Sequence, residues 1–175
     1  MKISIIGTAG RKDAIRQLSA QVFLKMLLDA EEIIKKYPIT TLVSGGAAWA
    51  DHIVVDLFLR NKIRKLELYL PADFKNEKFV ENGFKSAGSI ANYYHRKFSM
   101  KSGRNSLKEI SLTQFKGAKI FIFNGFHQRN IEVAKSDIIL AYTFSSTDIP
   151  DDGGTLHTWN QSQSKIKIHR RIQDL

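Results

Sequence analysis

Cysteine is absent from this chain of 175 residues. Its absence excludes disulfides, thiolate zinc sites and cysteine nucleophiles, and it agrees with a reducing compartment. Apolar runs are short as well. None approaches the roughly 20 residues of a membrane span, and Lys2-Ile3-Ser4-Ile5-Ile6 is too brief for a signal-peptide core. The expectation is a cytoplasmic protein with no membrane partner. The five histidines, His52, His95, His127, His157 and His169, show no paired ligand spacing such as His-x-x-x-His, so no metal site is expected. Neither Gly-x-Gly-x-x-Gly nor a glycine loop followed by Lys-Ser/Thr occurs. That argues against an NAD dehydrogenase and against an ATPase, and no cofactor is expected. Internal repeats and low-complexity tracts are missing too.

What the chain does carry is an ordinary apolar content of 43%, enough for one compact domain with a substantial core, and a net charge of +10. So basic a protein favours a polyanionic partner, either a phosphorylated small molecule or nucleic acid. The charge clusters at Arg60-Asn61-Lys62-Ile63-Arg64-Lys65, at Tyr94-His95-Arg96-Lys97 and along Lys165-Ile166-Lys167-Ile168-His169-Arg170-Arg171. Each cluster also fits a solvated surface or a helix C-terminus. Composition leaves the oligomeric state open, a homo-oligomer included.

Three glycine turns organise the rest: Gly7-Thr8-Ala9-Gly10-Arg11, Ser44-Gly45-Gly46-Ala47 and Asp152-Gly153-Gly154-Thr155. The first two follow short apolar runs, and all three precede helix-like stretches. Glycine there permits tight turning and close backbone approach, while the next helix presents free N–H groups and its positive dipole end to an anion. Around them the pattern predicts strands at Lys2–Ile6, Thr40–Ser44, Lys65–Leu70, Lys119–Phe123, Asp137–Tyr142 and Lys165–His169. Helices are expected over Asp13–Lys36, closed by Pro38, over Trp49–Arg60, and from Thr155 to about Gln163. The alternation makes a mainly parallel sheet with helices on both faces the economical solution, a Rossmann-like α/β fold. Residues 72–114 break the rhythm and read as a helical insertion beside a ligand cleft, with helices near Ser89–Phe98 and Leu107–Phe115.

In open α/β sheets ligands bind beyond the C-terminal ends of the strands. Thr8, Gly10 and Arg11 fall there, and Arg11 either forks onto a phosphate or opens the first turn in solvent. Asp51, in the first turn after Gly45-Gly46, either accepts ribose hydroxyls or compensates the helix dipole. Arg129 and Asn130, ahead of the fifth strand, form another candidate pair, whereas Asp137 reads as structural. His157, two residues after Thr155, faces either the cleft or solvent.

The combination of Ile5-Ile6-Gly7-Thr8-Ala9-Gly10-Arg11, Val43-Ser44-Gly45-Gly46-Ala47-Ala48-Trp49-Ala50-Asp51, Ser136-Asp137-Ile138-Ile139-Leu140-Ala141 and Gly153-Gly154-Thr155 resembles the SLOG superfamily. That group includes LOG-type phosphoribohydrolases, the DNA-processing protein DprA and small nucleotide-binding or nucleotide-sensing domains. The resemblance implies one domain over 1–175, interrupted at 72–114, whose glycine turns hold a nucleotide, a nucleotide derivative or a sugar phosphate. Gly7, Thr8, Gly10, Arg11, Gly45, Gly46, Asp51, Arg129, Asn130, Gly153, Gly154 and Thr155 are the expected ligand-binding residues. LOG-type enzymes carry a glutamate after their second glycine motif, and Thr158 stands at the corresponding position. A threonine cannot act as an ionised carboxylate in N-glycosidic cleavage, so Asp151, Asp152, Glu77 or Glu81 would have to replace it. Ligand binding without an assigned reaction is therefore the first reading. Nucleotide N-glycosidic hydrolysis or transfer and DprA-like nucleic-acid binding are the alternatives.

Overall fold

A computed structural model describes every residue except Lys12 and Asp152. The chain runs through β1 (Lys2–Gly7), α1 (Ala14–Gln17), α2 (Ala20–Lys35) and β2 (Thr41–Ser44). A 3-10 turn at Trp49–His52 then leads into α3 (Ile53–Leu59) and β3 (Lys65–Leu70). Next come a hairpin of β4 (Phe74–Lys75) and β5 (Lys78–Phe79), then α4 (Ala87–Ser102) and α5 (Ser106–Phe115). The remainder comprises β6 (Lys119–Ile122), α6 (Phe126–Val133), β7 (Ile138–Thr143), α7 (Gly153–Gln161) and β8 (Ile166–Arg171).

Six strands form one sheet in the order β6-β3-β2-β1-β7-β8, every neighbouring pair parallel. This is the expected Rossmann-like three-layer fold. The chain winds outward from β1 to β6, then returns to lay β7 on the other side of β1. The point of reversal therefore lies between β1 and β7, where α/β sheets open a crevice. Central strands β2 and β7 are buried along their whole length, as two covered faces require.

Alternation along the strands sorts the core. Ile3, Ile5, Leu66, Leu68, Leu70, Ile138, Leu140 and Tyr142 face the layer of α2, α3, α4 and α5, together with Phe23, Met26, Phe98 and Ile110. Ile6, Val43, Ile139 and Ala141 face the thinner layer of α6 and α7 with Val133 and Trp159. Parallel neighbours need a crossover, and α4 and α5 supply the one joining β3 to β6. The stretch expected as an insertion is thus part of the larger core layer. The His52 ring Nε2 lies 2.6 Å from Glu109 Oε2, and Arg104 reaches both Asp56 at 2.6 Å and Glu109 at 3.0 Å, fastening α3 to α5.

The helix expected over Asp13–Lys36 is two helices. Leu18 adopts an extended conformation (ψ 134°), and the Ser19 hydroxyl caps α2 by accepting the Val22 N–H at 3.2 Å. Asp137 is structural, its carboxylate accepting the Lys2 N–H at 2.7 Å at the start of the sheet. Among the described residues, no helix is long and apolar enough to cross a membrane, and no three metal-ligating side chains gather.

Candidate functional site

A cleft of about 300 Å³ opens at the C-terminal edge of the sheet. Its floor is Ile6 and Gly7 from β1 together with the Gly45-Gly46-Ala47-Ala48 turn after β2. Its walls come from α4, α6 and α7. Gly7, Arg11, Gly45, Gly46, Asp51, Arg129, Asn130, Gly153, Gly154 and Thr155 all line it. Thr8 and Gly10 do not. The Thr8 hydroxyl accepts the Gly10 N–H at 3.2 Å, and a side chain on Gly10 would meet Ile15 and the Trp49 indole. These two residues shape the turn, and Thr8 faces an adjoining groove shared with Thr143, Phe144 and Asp151. Asp152 lies outside the described residues.

Each glycine of the second turn answers a different need. At Gly46 the backbone is left-handed (φ +67°), and a Cβ would collide with Leu70. At Gly45 a Cβ would fall on the Arg129 guanidinium, which lies directly on the backbone there. Ser44 holds the turn closed: its hydroxyl accepts the Gly46 N–H at 3.1 Å and donates to the Asp51 carbonyl at 3.0 Å. Trp49, fully buried, takes the left-handed conformation (φ 62°), a strained choice for a bulky residue, and its indole N–H has no partner.

The cleft's electrostatics centre on two arginines. Arg11 and Arg129 place their guanidinium carbons 5.9 and 5.7 Å from the centroid of one ring, Phe126, and Arg11 also lies 5.6 Å from that of Tyr94. Arg129 is buried, with Nη1 3.6 Å from Asp51 Oδ2 and its Nε–H unpartnered. Burial holds its pKa below the ordinary arginine range; the positive charge of Arg11 adds to that lowering and Asp51 opposes it. Asp51 accepts the Ala47 N–H at 3.4 Å. Burial pushes its carboxyl above the usual aspartate range, and Arg129 draws it back only in part.

Four aromatic side chains of the cleft carried no sequence signal as site residues: Tyr94, His95, Phe126 and His127. Tyr94 and His95 belong to a stretch that reads as a basic cluster, yet only Arg96 and Lys97 are exposed. His95 is fully buried and packs α4 onto the glycine turn. A carbonyl can only accept, so its Nε2–H donates to Gly46 O at 3.0 Å, leaving Nδ1 to accept from Ser106 Oγ at 3.0 Å. Burial lowers its pKa to about 3, so the ring is neutral. His127 and His157, thirty positions apart, meet edge to face with centroids 5.3 Å apart where α6 packs on α7. His157 thus lies in the cleft, not in open solvent. Thr158 also lines it, but its hydroxyl donates to Gly154 O at 3.0 Å. Glu77 sits in the β4–β5 turn, Glu81 accepts the Asn92 amide at 2.8 Å, and neither lines the cleft.

No known protein family matches the chain, and no solved structure does. The uncharacterized protein R261 of Acanthamoeba polyphaga mimivirus is 38% identical over 177 residues, an overlap covering 97% of this chain and 94% of the viral protein. A likeness of that extent covers nearly the whole of both chains, and the chain belongs to the family of this mimiviral protein.

Proposed function

We propose that the protein is a SLOG-type binding domain for a nucleotide, a nucleotide derivative or a sugar phosphate, with the phosphate held between Arg11 and Arg129. The observation that carries this reading is the pair of guanidinium groups over one phenylalanine ring in a cleft whose single lining carboxylate, among the described residues, is already set against Arg129. Two cations so placed repel, and a bound phosphate relieves both while accepting their forked N–H groups. The first turns of α6 and α7, through Phe126, His127, Gly153 and Gly154, border the same space and add N-terminal dipole. Ile90, Ala91 and Tyr94 offer an apolar wall to a base or sugar.

Titrating wild type and Arg11→Ala with AMP and adenosine tests the reading. Loss of a charge-assisted contact of about 1.5–3 kcal/mol weakens AMP roughly tenfold to a hundredfold, while adenosine affinity stays where it was. Equal losses for both ligands, or none, remove Arg11 from a phosphate site.

N-glycosidic cleavage draws less support. Among the described residues, Asp51 is the acidic group in the cleft available for it, and that carboxylate is engaged by Ala47 and Arg129. DprA-like binding of nucleic acid would draw on the basic clusters. Of these, Arg60 and Lys62 pair with Glu31, Arg170 with Asp29 and Arg171 with Asp174.

A further inference from the structure

We infer that the cleft is hydrolytic toward phosphodiesters, with His127 as general base and His157 as general acid. The inference rests on the phosphate-binding reading above and goes beyond it by assigning a reaction. Proton transfer near neutral pH needs a side chain free to gain and lose a proton within the cleft. Asp51 is set against Arg129 and the Ala47 N–H, and His95 is a neutral ring with both nitrogens engaged. Among the described residues lining the cleft, His127 and His157 remain. They touch each other through their rings, and His157 Nδ1 is buried without a hydrogen-bond partner. Imidazole is the side chain whose ordinary titration lies nearest neutrality. In a pair, the ring holding a proton serves as acid and the other as base.

His127 is exposed at the cleft mouth and meets incoming water, whereas His157 is the more enclosed of the two. With Arg11 and Arg129 on the non-bridging oxygens, water bonds to phosphorus and gives its proton to His127. The ester phosphorus–oxygen bond breaks, and the departing alkoxide takes its proton from His157. Diester and water become monoester and alcohol, and solvent returns the proton from His127 to His157.

Two substrates that differ in leaving group test the assignment. In 3′,5′-cyclic AMP the departing alkoxide needs a proton; in bis(4-nitrophenyl) phosphate the nitrophenolate leaves without one. The wild type hydrolyses both. His157→Ala loses about a hundredfold or more on the cyclic nucleotide but little on the nitrophenyl diester, while His127→Ala loses about that much on both. Both variants, and the bulkier His157→Gln and His127→Gln, which keep the α6–α7 contact filled, retain the cooperative melting transition of the wild type, so lost turnover is not lost fold. A wild-type protein that binds AMP yet leaves both diesters intact overturns the inference and spares the binding reading. Failure to bind AMP takes down both. Equal losses on the two diesters in His157→Ala, or undiminished turnover in His127→Ala, also overturn it.

Discussion

Replacing Gly45 by alanine should damage the site through Arg129 alone. Gly45 is not among the left-handed glycines, so alanine fits its backbone. The added methyl, however, claims the space that holds Arg129 Nη1 and Cζ, and the guanidinium has to leave the floor of the cleft. Two contacts go with it: the 3.6 Å approach to Asp51 and the position over the Phe126 ring. A charge-assisted contact contributes about 1.5–3 kcal/mol, and a buried carboxylate stripped of its partner lies toward the upper end. Urea denaturation of Gly45→Ala should therefore show a loss of about 2–3 kcal/mol, and its AMP affinity should fall roughly tenfold to a hundredfold. A double-mutant cycle isolates the cause. In an Arg129→Met background no guanidinium stands over residue 45, so adding the methyl should change stability and affinity by no more than about 0.5 kcal/mol. Equal costs in both backgrounds, or an unaltered Gly45→Ala protein, would refute the packing argument.

Gly46→Val should suffer a different injury. A β-branched residue at φ +67° facing Leu70 is strained by about 1–3 kcal/mol, and calorimetry should find AMP binding lost in a protein that still melts cooperatively; undiminished affinity would take Gly46 out of the site. His95 predicts the acid limb of stability. Its pKa is about 3 in the fold against 6.5 ordinarily, so above pH 6.5 the ring is neutral in both states and contributes no slope. As pH falls toward 3, the unfolded chain takes up a proton that the native ring refuses, and stability declines by about 1.4 kcal/mol per pH unit. His52, also lowered by burial, acts in the same direction. Urea midpoints measured from pH 7 to 4 should fall less steeply in His95→Gln, by about one proton, and an unchanged slope would contradict a buried neutral ring.

Much of the fold was legible because parallel strands and their helices announce themselves locally. Lys65–Leu70 is bounded as its pattern predicts, and the glycine turns after β1 and β2 sit where apolar runs end. Local pattern failed where two solutions shared it. Apolar spacing continues across Leu18, so a break there was visible only in the capping potential of Ser19. The β4–β5 hairpin turns through Asn76 and Glu77, both left-handed, without the glycine that usually marks such a turn. The site divides along the same line. Its first two glycine turns and Arg11 follow strands directly, and sequence order places them. The wall of Tyr94 and His95 depends on how α4 crosses the sheet edge, and the meeting of His127 with His157 on how α6 packs against α7. Neither leaves a trace in spacing.

On the proposed reading, the Asp51–Arg129 pair is a device for binding. For both partners burial outweighs mutual attraction: the carboxyl is pushed up and the guanidinium held down. A pair maintained for stability alone would be matched or bettered by apolar side chains of similar volume. Beside it stand a left-handed Trp49 with an unsatisfied indole N–H and an Arg129 Nε–H with no partner. An anion between the arginines would offset the charge excess and give Arg129 a forked acceptor, correcting the most unfavourable features of the cleft together. On the proposed reading, Gly45 is the means by which the backbone leaves room for a guanidinium, and a phosphate would meet Arg129 lying there before it met the glycines themselves.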